Sequence, residues 1–338
     1  MVVRFRCFYN EFYNVLADWC ENLVETLIEK QMIVKEKIGE GFLDLRICDN
    51  LELMAEIEDN TVDLIYCDIL YGTGRKFKDY QDLKPKREVI EEHYIPRIKE
   101  MYRILKPTGS IYLQMDTRIN HWIRCIMDDV FGYVNFQNEI IWKRGETGKG
   151  AKPTTYSKDY DVIFLYSKSK IFTFNQLERP HDTVSLKEYK YYDENEMKYF
   201  KIVTLGAYSK LSIQKMVDNN EIYTTKSGKK YKKYFLSDLF NGVCSNIWLD
   251  NHNLFNGNNK ERVGYNTQKP KALIERIIKA SSNEGDLVAD FYSGSFTTAE
   301  VCKDLKRDFI GCDINPNCLE KAKERGLFSF TDSNDKLD

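Results

Sequence analysis

Several kinds of sequence feature are scarce or missing in this chain of 338 residues. Its nine cysteines are an odd number and include no C-x-x-C pair, which indicates reduced thiols in a cytoplasmic protein and argues against a disulfide framework or a cysteine-based zinc site. The four histidines have no spacing typical of metal ligands, so we expect no metal. No signal peptide and no apolar run long enough to span a bilayer is recognisable, so no membrane association is predicted.

A strong charge of either sign is also missing. The formal net charge is −2, which gives no overall basic signature for nucleic acid. Any polyanionic partner would therefore have to bind a local basic patch. Hydrophobic residues make up 42% of the chain and charged residues 30%, as in a globular protein with a substantial core.

The hydrophobic pattern predicts a sheet domain that carries an insertion. Residues 1–40 have helical periodicity and are expected to form an N-terminal helical extension. In 41–168, and again in 263–330, short apolar strands alternate with amphipathic helices, which predicts an α/β Rossmann-like sheet with helices on both faces. The region 169–262 is rich in Lys, Tyr and Asn, has irregular strands, and is expected to be an inserted module. Residues 331–338 form a polar tail.

One predicted strand ends at Asp68, in the segment Asp68-Ile69-Leu70-Tyr71. An exocyclic amine of a nucleobase is a poor nucleophile because its lone pair is delocalised into the ring. A carboxylate and a backbone carbonyl that each accept one N–H would free this lone pair. An aromatic ring nearby could stack on the base, a contact worth about 1–3 kcal/mol. A strand end with a buried tyrosine gives the same short pattern, so this segment alone does not distinguish a catalytic site from an ordinary strand end.

A second strand end, about 220 residues later, has features of a nucleotide site. The strand ending at Asp290 leads through a turn with Gly294 into a helix predicted to begin near Thr297. The next strand ends at Asp313, at a spacing suited to an acid that binds ribose hydroxyls. The turn has neither G-x-G-x-x-G nor a P-loop, which favours a nucleoside without a pyrophosphate. An ordinary strand–turn–helix joint is the alternative. Two ligands facing each other across one sheet edge would suit a group-transfer enzyme.

Together the segments at these two strand ends resemble the corresponding motifs of the β-class amino-methyltransferases of DNA, and the resemblance covers roughly 41–330. The most specific stretch is Thr267-Gln268-Lys269-Pro270 followed by Asp290-Phe291-Tyr292-Ser293-Gly294-Ser295, which is similar to the T-Q-K-P helix and the D-P-F-x-G-S-G-T motif of that family. The segment Asp68-Ile69-Leu70-Tyr71 resembles the family's D-P-P-Y. In the β-class order the catalytic motif comes first, a target-recognition region follows, and the S-adenosylmethionine motif comes last.

The resemblance implies a DNA adenine-N6 methyltransferase that uses S-adenosyl-L-methionine and belongs to a bacterial restriction–modification system. Aspartate at position 68 favours adenine, because the family's cytosine-N4 enzymes usually carry serine there. The resemblance implies direct attack of the amine on the methyl group, without a covalent intermediate or a metal. The implied catalytic residues are Asp68, Ile69 through its backbone carbonyl, and Tyr71. The implied cofactor-binding residues are Thr267, Lys269, Asp290, Phe291, Gly294, Ser295, Asp313 and Asn315.

Two departures from the family pattern concern backbone and packing. The two prolines of D-P-P-Y are Ile69 and Leu70 here, which removes a source of backbone rigidity but leaves the carbonyl of Ile69 in place. The second glycine of G-S-G is Phe296. Its ring would either crowd the methionine part of the cofactor or point into the core.

The implied partner is double-stranded DNA. A base inside a duplex cannot reach such a pocket, so the adenine must be flipped out, which costs a few kcal/mol. The loop 144–159 and the region 169–262 are expected to hold the DNA. A second lysine-rich patch lies within 226–233, and a solvated surface is the alternative interpretation for it. The predicted contacts are Lys143, Arg144, Lys149, Lys152, Lys229 and Lys230.

Other functions remain open from the sequence. The changed residues Ile69, Leu70 and Phe296 are compatible with a degenerate relative that binds DNA or a partner subunit and does no chemistry. The same chemistry could also act on cytosine N4 or on RNA. The recognition sequence, a restriction subunit and a homodimer are not decided by these motifs.

Overall fold

The structure is a computed structural model that describes residues 32–38, 41–76, 81–144, 154–177, 187–236, 244–249, 254, 260–265 and 267–328. The chain divides into two compact units, one formed by Met1–Asn175 with Asn246–Asp338 and the other by Gln176–Ser245. Within the described ranges, no helix has both the length and the apolar character needed to cross a membrane.

Strands and helices are numbered here in chain order. The strands are β1 Met32–Ile38, β2 Gly41–Ile47, β3 Val62–Asp68, β4 Leu105–Met115, β5 Phe136–Lys143, β6 Tyr160–Ser167, β7 Tyr191–Asp193, β8 Lys198–Thr204, β9 Ile222–Thr224, β10 Lys230–Phe235, β11 Ile247–Trp248, β12 Leu287–Asp290 and β13 Asp308–Asp313. The α-helices are α1 Asn50–Glu56, α2 Arg87–Ile104, α3 Asn120–Phe131, α4 Lys210–Asp218, α5 Lys271–Ser281, α6 Thr297–Asp304 and α7 Asn317–Glu324, and a 3-10 turn spans Tyr133–Asn135.

The larger unit is built on a nine-stranded mixed sheet with the order β1-β2-β13-β12-β3-β4-β6-β5-β11. Strands β2, β13, β12, β3 and β4 are parallel to one another, whereas β6 is antiparallel to both β4 and β5. All residues of 64–67 in β3 are buried although successive side chains point to opposite faces, so both faces of the sheet are covered. The prediction of an α/β Rossmann-like sheet is confirmed.

The two predicted ligand-binding strand ends lie next to each other. Strand β12 pairs in parallel with β3, with Val288 opposite Leu64 and Ala289 opposite Ile65. The same buried core contains Ile65 and Cys67 of β3 as well as Ala289 and Phe291. Because parallel strands end at one edge, the turns after β3 and β12 open on the same side of the sheet.

The predicted helix at the N-terminus is wrong for residues 32–38. These residues form β1, which pairs antiparallel with β2 from Met32 opposite Ile47 to Ile38 opposite Gly41. Exposure alternates residue by residue from Ile33 to Lys37, as expected for a strand with one covered face. The apolar residues near a helical period lie in 1–28, and residues 1–31 are outside the described part, so the rest of the predicted extension stays untested.

The smaller unit has a regular antiparallel sheet, whereas irregular strands were predicted there. Its strand order is β7-β8-β10-β9, and helix α4 lies between β8 and β9 in the chain. One face carries an aromatic cluster that contains Tyr191, Phe200, Tyr223 and Phe235. The unit spans 176–245, which is narrower than the predicted 169–262, because β11 returns to the large sheet beside β5.

Candidate active site

A single cleft of about 570 Å³ opens where β3 and β12 end. Its wall contains Asp68, Ile69, Leu70 and Tyr71 from the first motif. The residues contributed by the second half of the chain include Thr267, Lys269, Asp290, Phe291, Gly294, Ser295 and Asp313. Cavities of about 300–1,000 Å³ hold most small ligands of proteins, so the cleft is large enough for a nucleoside. The two motifs therefore share one cavity.

The carboxylate of Asp68 is bonded on both sides. Its Oδ1 lies 2.9 Å from the hydroxyl of Tyr71, and its Oδ2 accepts a hydrogen bond from Nζ of Lys269. Nζ of Lys269 also lies 5.4 Å from the centroid of the Tyr71 ring. Burial raises the pKa of Asp68 above its ordinary value, and the lysine charge opposes that shift. Lys269 thus contacts the catalytic end of the cleft, and its predicted contact with the cofactor stays a prediction.

The catalytic turn is held by tertiary contacts where the family has prolines. The side chain of Ile69 is buried in the core, and its N–H donates to the carbonyl of Gln114 at 3.0 Å. The carbonyl of Leu70 accepts from the hydroxyl of Tyr94 on α2 at 3.0 Å. Among the described residues, none donates to the carbonyl of Ile69. That oxygen therefore retains its accepting capacity for an amine.

Buried Asp82 clamps the backbone that follows Tyr71. Its carboxylate accepts from the N–H groups of Gly72 at 3.1 Å and Thr73 at 2.7 Å, and from the hydroxyl of Thr73 at 2.5 Å. Gly72 has φ of +62°, and a Cβ there would lie 2.6 Å from Cγ2 of Ile119. Only glycine fits this position. The turn is therefore rigid without proline.

A buried polar network continues beyond Tyr71 and was missed from the sequence. The Tyr71 hydroxyl lies 2.8 Å from Oδ2 of Asp161, which is fully buried at the start of β6. The same oxygen accepts from Nε2 of Gln114 at 3.1 Å, and Oε1 of Gln114 accepts from the hydroxyl of Tyr66 at 2.8 Å. Burial, then the charges of Asp161 and Asp68, raise the pKa of Tyr71 well above its ordinary value. The sequence signal that could have revealed Asp161 is a charged residue in an otherwise apolar strand.

Asp290 shapes the cofactor turn from within. Its side chain is 2% exposed, Oδ1 accepts from the N–H of Tyr292 at 3.0 Å, and Oδ2 accepts from the hydroxyl of Thr298 at 2.6 Å. Burial raises the pKa of Asp290 to about 7, against the effect of these two donors. The carboxyl group ties the start of the turn to the first residues of α6.

Asp313 ties the same turn to the next strand. Its Oδ2 accepts from the N–H of Gly294 at 2.8 Å and its Oδ1 from the N–H of Asn315 at 2.9 Å. A carboxylate oxygen has two lone pairs, so each oxygen can accept a further bond from a ligand hydroxyl. Asn315 is 2% exposed, and its side-chain oxygen accepts from the N–H of Asn317 at the start of α7. Its predicted role in cofactor binding stays a prediction.

Arg325, which follows α7, also supports the turn and was not predicted. Its guanidinium donates to the carbonyl and the hydroxyl of Ser295 at 2.7 and 3.1 Å, and to the hydroxyl of Thr297 at 2.8 Å. Glu300 accepts from another nitrogen of this guanidinium. Ser295 is therefore fixed from behind. The side chain of Phe291 is 1% exposed, and its carbonyl accepts from Nδ2 of Asn50 at 3.1 Å.

The ring of Phe296 points into the core. It is fully buried and meets the ring of Phe309 edge-on, with the centroids 6.4 Å apart. Its backbone has φ of 54° and ψ of 33°, the left-handed conformation that favours glycine. The chain thus keeps the turn geometry of a glycine while its side chain fills space in the core.

The predicted DNA contacts are placed only in part. Arg144 follows β5, donates to the carbonyl of Lys158 at 2.6 Å and lies 3.4 Å from Oδ1 of Asp161. Lys143 is the last residue of β5. Lys229 and Lys230 are exposed at the turn into β10. Residues Lys149 and Lys152 lie outside the described part of the chain.

The lining of the cleft fits the proposed cofactor. Its described wall includes five aspartates, and Lys269 is the one lysine in it. Four of these carboxyl groups accept hydrogen bonds from backbone N–H groups, namely Asp49, Asp82, Asp290 and Asp313. Such a wall suits a ligand with a cationic sulfonium and a ribose diol better than it suits a phosphorylated nucleotide.

Comparisons with known proteins point in one direction. A family model described as DNA methylase matches residues 62–324. The type II methyltransferase M.HpaI of Haemophilus parainfluenzae is 32% identical over 281 residues, which are 82% of this chain and 73% of that protein. The DNA adenine methyltransferase YhdJ of Escherichia coli (strain K12) is 26% identical over 285 residues, which are 82% of this chain and 80% of that protein.

One solved structure supports the fold independently. The PvuII DNA methyltransferase, which is named as cytosine-N4-specific, superposes with a TM-score of 0.51 over 89% of this chain and 92% of that chain. At 16% sequence identity this likeness concerns the fold.

Replacement of Phe296 tests whether its ring crowds the cofactor. In Phe296→Gly the left-handed backbone is relieved by about 1–2 kcal/mol, but an emptied phenylalanine site costs about 3–5 kcal/mol. We expect a net loss of about 2 kcal/mol in urea unfolding, with unchanged S-adenosylmethionine affinity by calorimetry. Phe296→Leu, which keeps most of the volume, should lose less. An affinity at least about tenfold higher in the glycine variant would contradict this placement.

The pKa of Asp290 predicts a pH-dependent stability. From about pH 4 to its folded pKa of about 7, this carboxyl is ionised in the unfolded chain and protonated in the folded one. Its contribution is therefore present at low pH and is lost as the pH rises through 7. Asp290→Asn does not titrate, so its free energy of unfolding relative to the wild type should rise across this window and then level off. Urea denaturation at a series of pH values measures this.

The control for this series is Glu58→Gln, at an exposed position, which should show no such trend. An Asp290→Asn difference that stays constant with pH would show that this carboxyl does not change its protonation in the folded protein.

Proposed function

Because this chain belongs to the DNA methylase family, we propose that it methylates the N6 amine of adenine in double-stranded DNA at a specific sequence. It is a DNA methyltransferase, and its methyl donor is S-adenosyl-L-methionine. The observation that carries the finer proposal is the single cleft that holds both Asp68 and the Asp290–Asp313 turn. A base amine bound at the first would face a donor bound at the second.

The roles of the individual residues are part of the proposal. Asp68 accepts one N–H of the extruded adenine through its carboxylate, and Ile69 accepts the other through its carbonyl. These two acceptors draw the amine away from the ring plane, which makes its lone pair available. Tyr71 stacks on the base. Bound S-adenosylmethionine supplies an electrophilic methyl group, and the amine loses one proton as the N–C bond forms.

At the cofactor side, Asp313 and the Ser293–Ser295 turn are the proposed contacts of the nucleoside. The carboxylate of Asp313 has lone pairs for the ribose hydroxyls, and Gly294 lets the ligand come close to the backbone. Tyr265 packs over that glycine, since a Cβ at Gly294 would lie 3.2 Å from Cε1 of Tyr265. Thr267 and Lys269 close the same wall.

The smaller unit is the proposed target-recognition region. Between 187 and 236 the sequence has eleven lysines and six acidic residues, in a chain whose net charge is −2. Lys201, Lys232 and the exposed Tyr199 and Tyr234 lie on one face of its sheet, by the register of β8 and β10. Lysines next to aromatic rings suit DNA phosphates and bases. Lys229 and Lys230 belong to the same basic unit.

Aspartate at position 68 is the reason to prefer adenine over cytosine N4. An intact Asp68, Tyr71 and cofactor turn in one cleft also favour an enzyme over a non-catalytic DNA-binding relative. A restriction subunit and a homodimer are proposed from the family resemblance alone, and a cytoplasmic location from the cysteine pattern. Co-expression with neighbouring genes and size-exclusion chromatography with light scattering would test the first two.

Loss of the Asp68 carboxylate should abolish catalysis. In Asp68→Ala one of the two amine acceptors is missing, so we expect the single-turnover methylation rate to fall by about 10²–10³ or more. Tyr71→Ala should lose about tenfold or more, as expected for one lost stacking contact. The readout is tritiated methyl transfer to plasmid DNA, and Glu92→Ala, at an exposed position of α2, is the control. Full activity of Asp68→Ala would show that the catalytic carboxylate lies elsewhere.

The methylated nucleoside identifies the target base. Genomic DNA from a methylation-free host that expresses the chain should contain N6-methyladenine at one short sequence, by mass spectrometry and modification-sensitive sequencing. N4-methylcytosine would instead establish the cytosine enzyme. Absence of both, together with no calorimetric binding of S-adenosylmethionine, would establish the non-catalytic relative.

Asp313→Ala, which loses the proposed ribose acceptor, should weaken the binding of S-adenosylmethionine measured by calorimetry by about tenfold or more.

A further inference from the structure

A second buried carboxylate lies beside the proposed catalytic one. Asp161 is the second residue of strand β6, is 0% exposed and lies more than 90 positions from Asp68 in the sequence. The hydroxyl of Tyr71 bridges the two acids, at 2.9 Å from Oδ1 of Asp68 and 2.8 Å from Oδ2 of Asp161. Placing a carboxylate in such a buried position costs free energy unless polar groups compensate it.

Asp161 is held in place without the help of Tyr71. Gln114 on β4 donates to the same Oδ2 at 3.1 Å, and its own oxygen is held by the hydroxyl of Tyr66 at 2.8 Å. The guanidinium of Arg144 lies 3.4 Å from Oδ1. Gln114 thus hydrogen-bonds this carboxylate directly, Arg144 lies beside its other oxygen, and Tyr66 holds Gln114 in turn. The carboxylate is therefore held by the neighbouring strands of the sheet.

Tyr71 depends on that carboxylate. Its hydroxyl has a single proton to donate, although two carboxylates lie within reach. Asp68 has a second donor in Lys269 and Asp161 has one in Gln114, so the Tyr71 hydroxyl lies between two carboxylates that are each held by another group. The hydroxyl oxygen of a tyrosine lies on the axis of its second side-chain torsion, so a bond at this oxygen restrains the first torsion and with it the direction of the ring axis. Asp161 therefore restrains the position of the ring in the cleft.

We propose that Asp161 is a positioning residue that orients the Tyr71 ring for stacking on the flipped base. This proposal rests on the proposed function, since it needs a base at Asp68. It gives Asp161 no contact with substrate and no part in proton transfer. A displacement of about 1 Å at a reacting centre can cost about 10² in rate. The loss should therefore appear in the chemical step and in base stacking, and leave cofactor affinity unchanged.

The experiment compares Asp161→Asn, Asp161→Ala, Tyr71→Phe and the double variant Tyr71→Phe/Asp161→Ala with the wild type. The Asn oxygen can occupy the Oδ2 position and accept from both Tyr71 and Gln114, so this variant should retain activity within about threefold. Asp161→Ala and Tyr71→Phe should each lower the single-turnover rate by about 10- to 100-fold. Because both break the same bond, the double variant should be no slower than the worse single variant.

Base stacking is followed separately. A 2-aminopurine placed at the target adenine fluoresces when it is unstacked in the pocket and is quenched by a stacked aromatic ring. Asp161→Ala and Tyr71→Phe should both raise its emission in the enzyme–DNA complex, and Asp161→Asn should not. A merely structural role of Asp161 would lower thermal stability without this pattern.

Three results would overturn the proposal. They are wild-type rate in Asp161→Ala, additive losses in the double variant, and Asp161→Asn as slow as Asp161→Ala while Tyr71→Phe stays fast. The last result would mean that Asp161 acts by its charge and not through Tyr71. Asp161→Asn and Tyr71→Phe keep the test informative if Asp161→Ala fails to fold. If the wild type itself makes no N6-methyladenine, the proposed function has failed, whereas an active wild type confines the failure to Asp161.

Discussion

The parallel pairing of β3 and β12 is the constraint on which the site depends. These strands are about 220 residues apart in the chain, yet Leu64 lies opposite Val288 in one buried sheet. Parallel strands end at the same edge, so Asp68 and Asp290 are brought to one cleft by backbone hydrogen bonds and by burial on both faces. A change in this register would separate the proposed base-binding turn from the proposed cofactor turn, even if every side chain were kept.

Rigidity at this edge is distributed over the surrounding structure. Proline would restrain the backbone after Asp68 locally, whereas here the buried side chain of Ile69, the Tyr94 hydroxyl and the Asp82 carboxylate restrain it from outside. The same holds at Phe296, where a full side chain adopts the backbone conformation of a glycine because the core accepts its ring. The geometry of a motif can thus be preserved when its prolines or glycines are replaced, if tertiary contacts hold the backbone in the same conformation.

The sequence predicted the elements whose cause is local. The strand ending at Asp68 and the helix after Pro270 follow from apolar periodicity, and both are present. Strand β1 was missed because its signal is the antiparallel partner β2, which no local period reveals. Asp161 was missed for a related reason: its strand reads as apolar, and its importance comes from Tyr71, Gln114 and Arg144, which only the fold brings to it. The motif residues could be predicted because their spacing in the sequence is characteristic. The residues that hold them in place could not, because their contacts arise only in the folded chain.

The two units of the molecule differ in the charge of their residues. The described cleft wall has five aspartates and one lysine, so it has little positive charge to attract the phosphates of DNA, although burial raises the pKa values of Asp68, Asp290 and Asp313 and thus limits their negative charge. A neutral base and a sulfonium cation are not repelled. In the proposed function the phosphates are bound by the lysine-rich smaller unit, which has eleven lysines and six acidic residues between 187 and 236. A net charge near zero then results from two opposed local charges, which explains why overall composition gave no sign of a nucleic-acid partner.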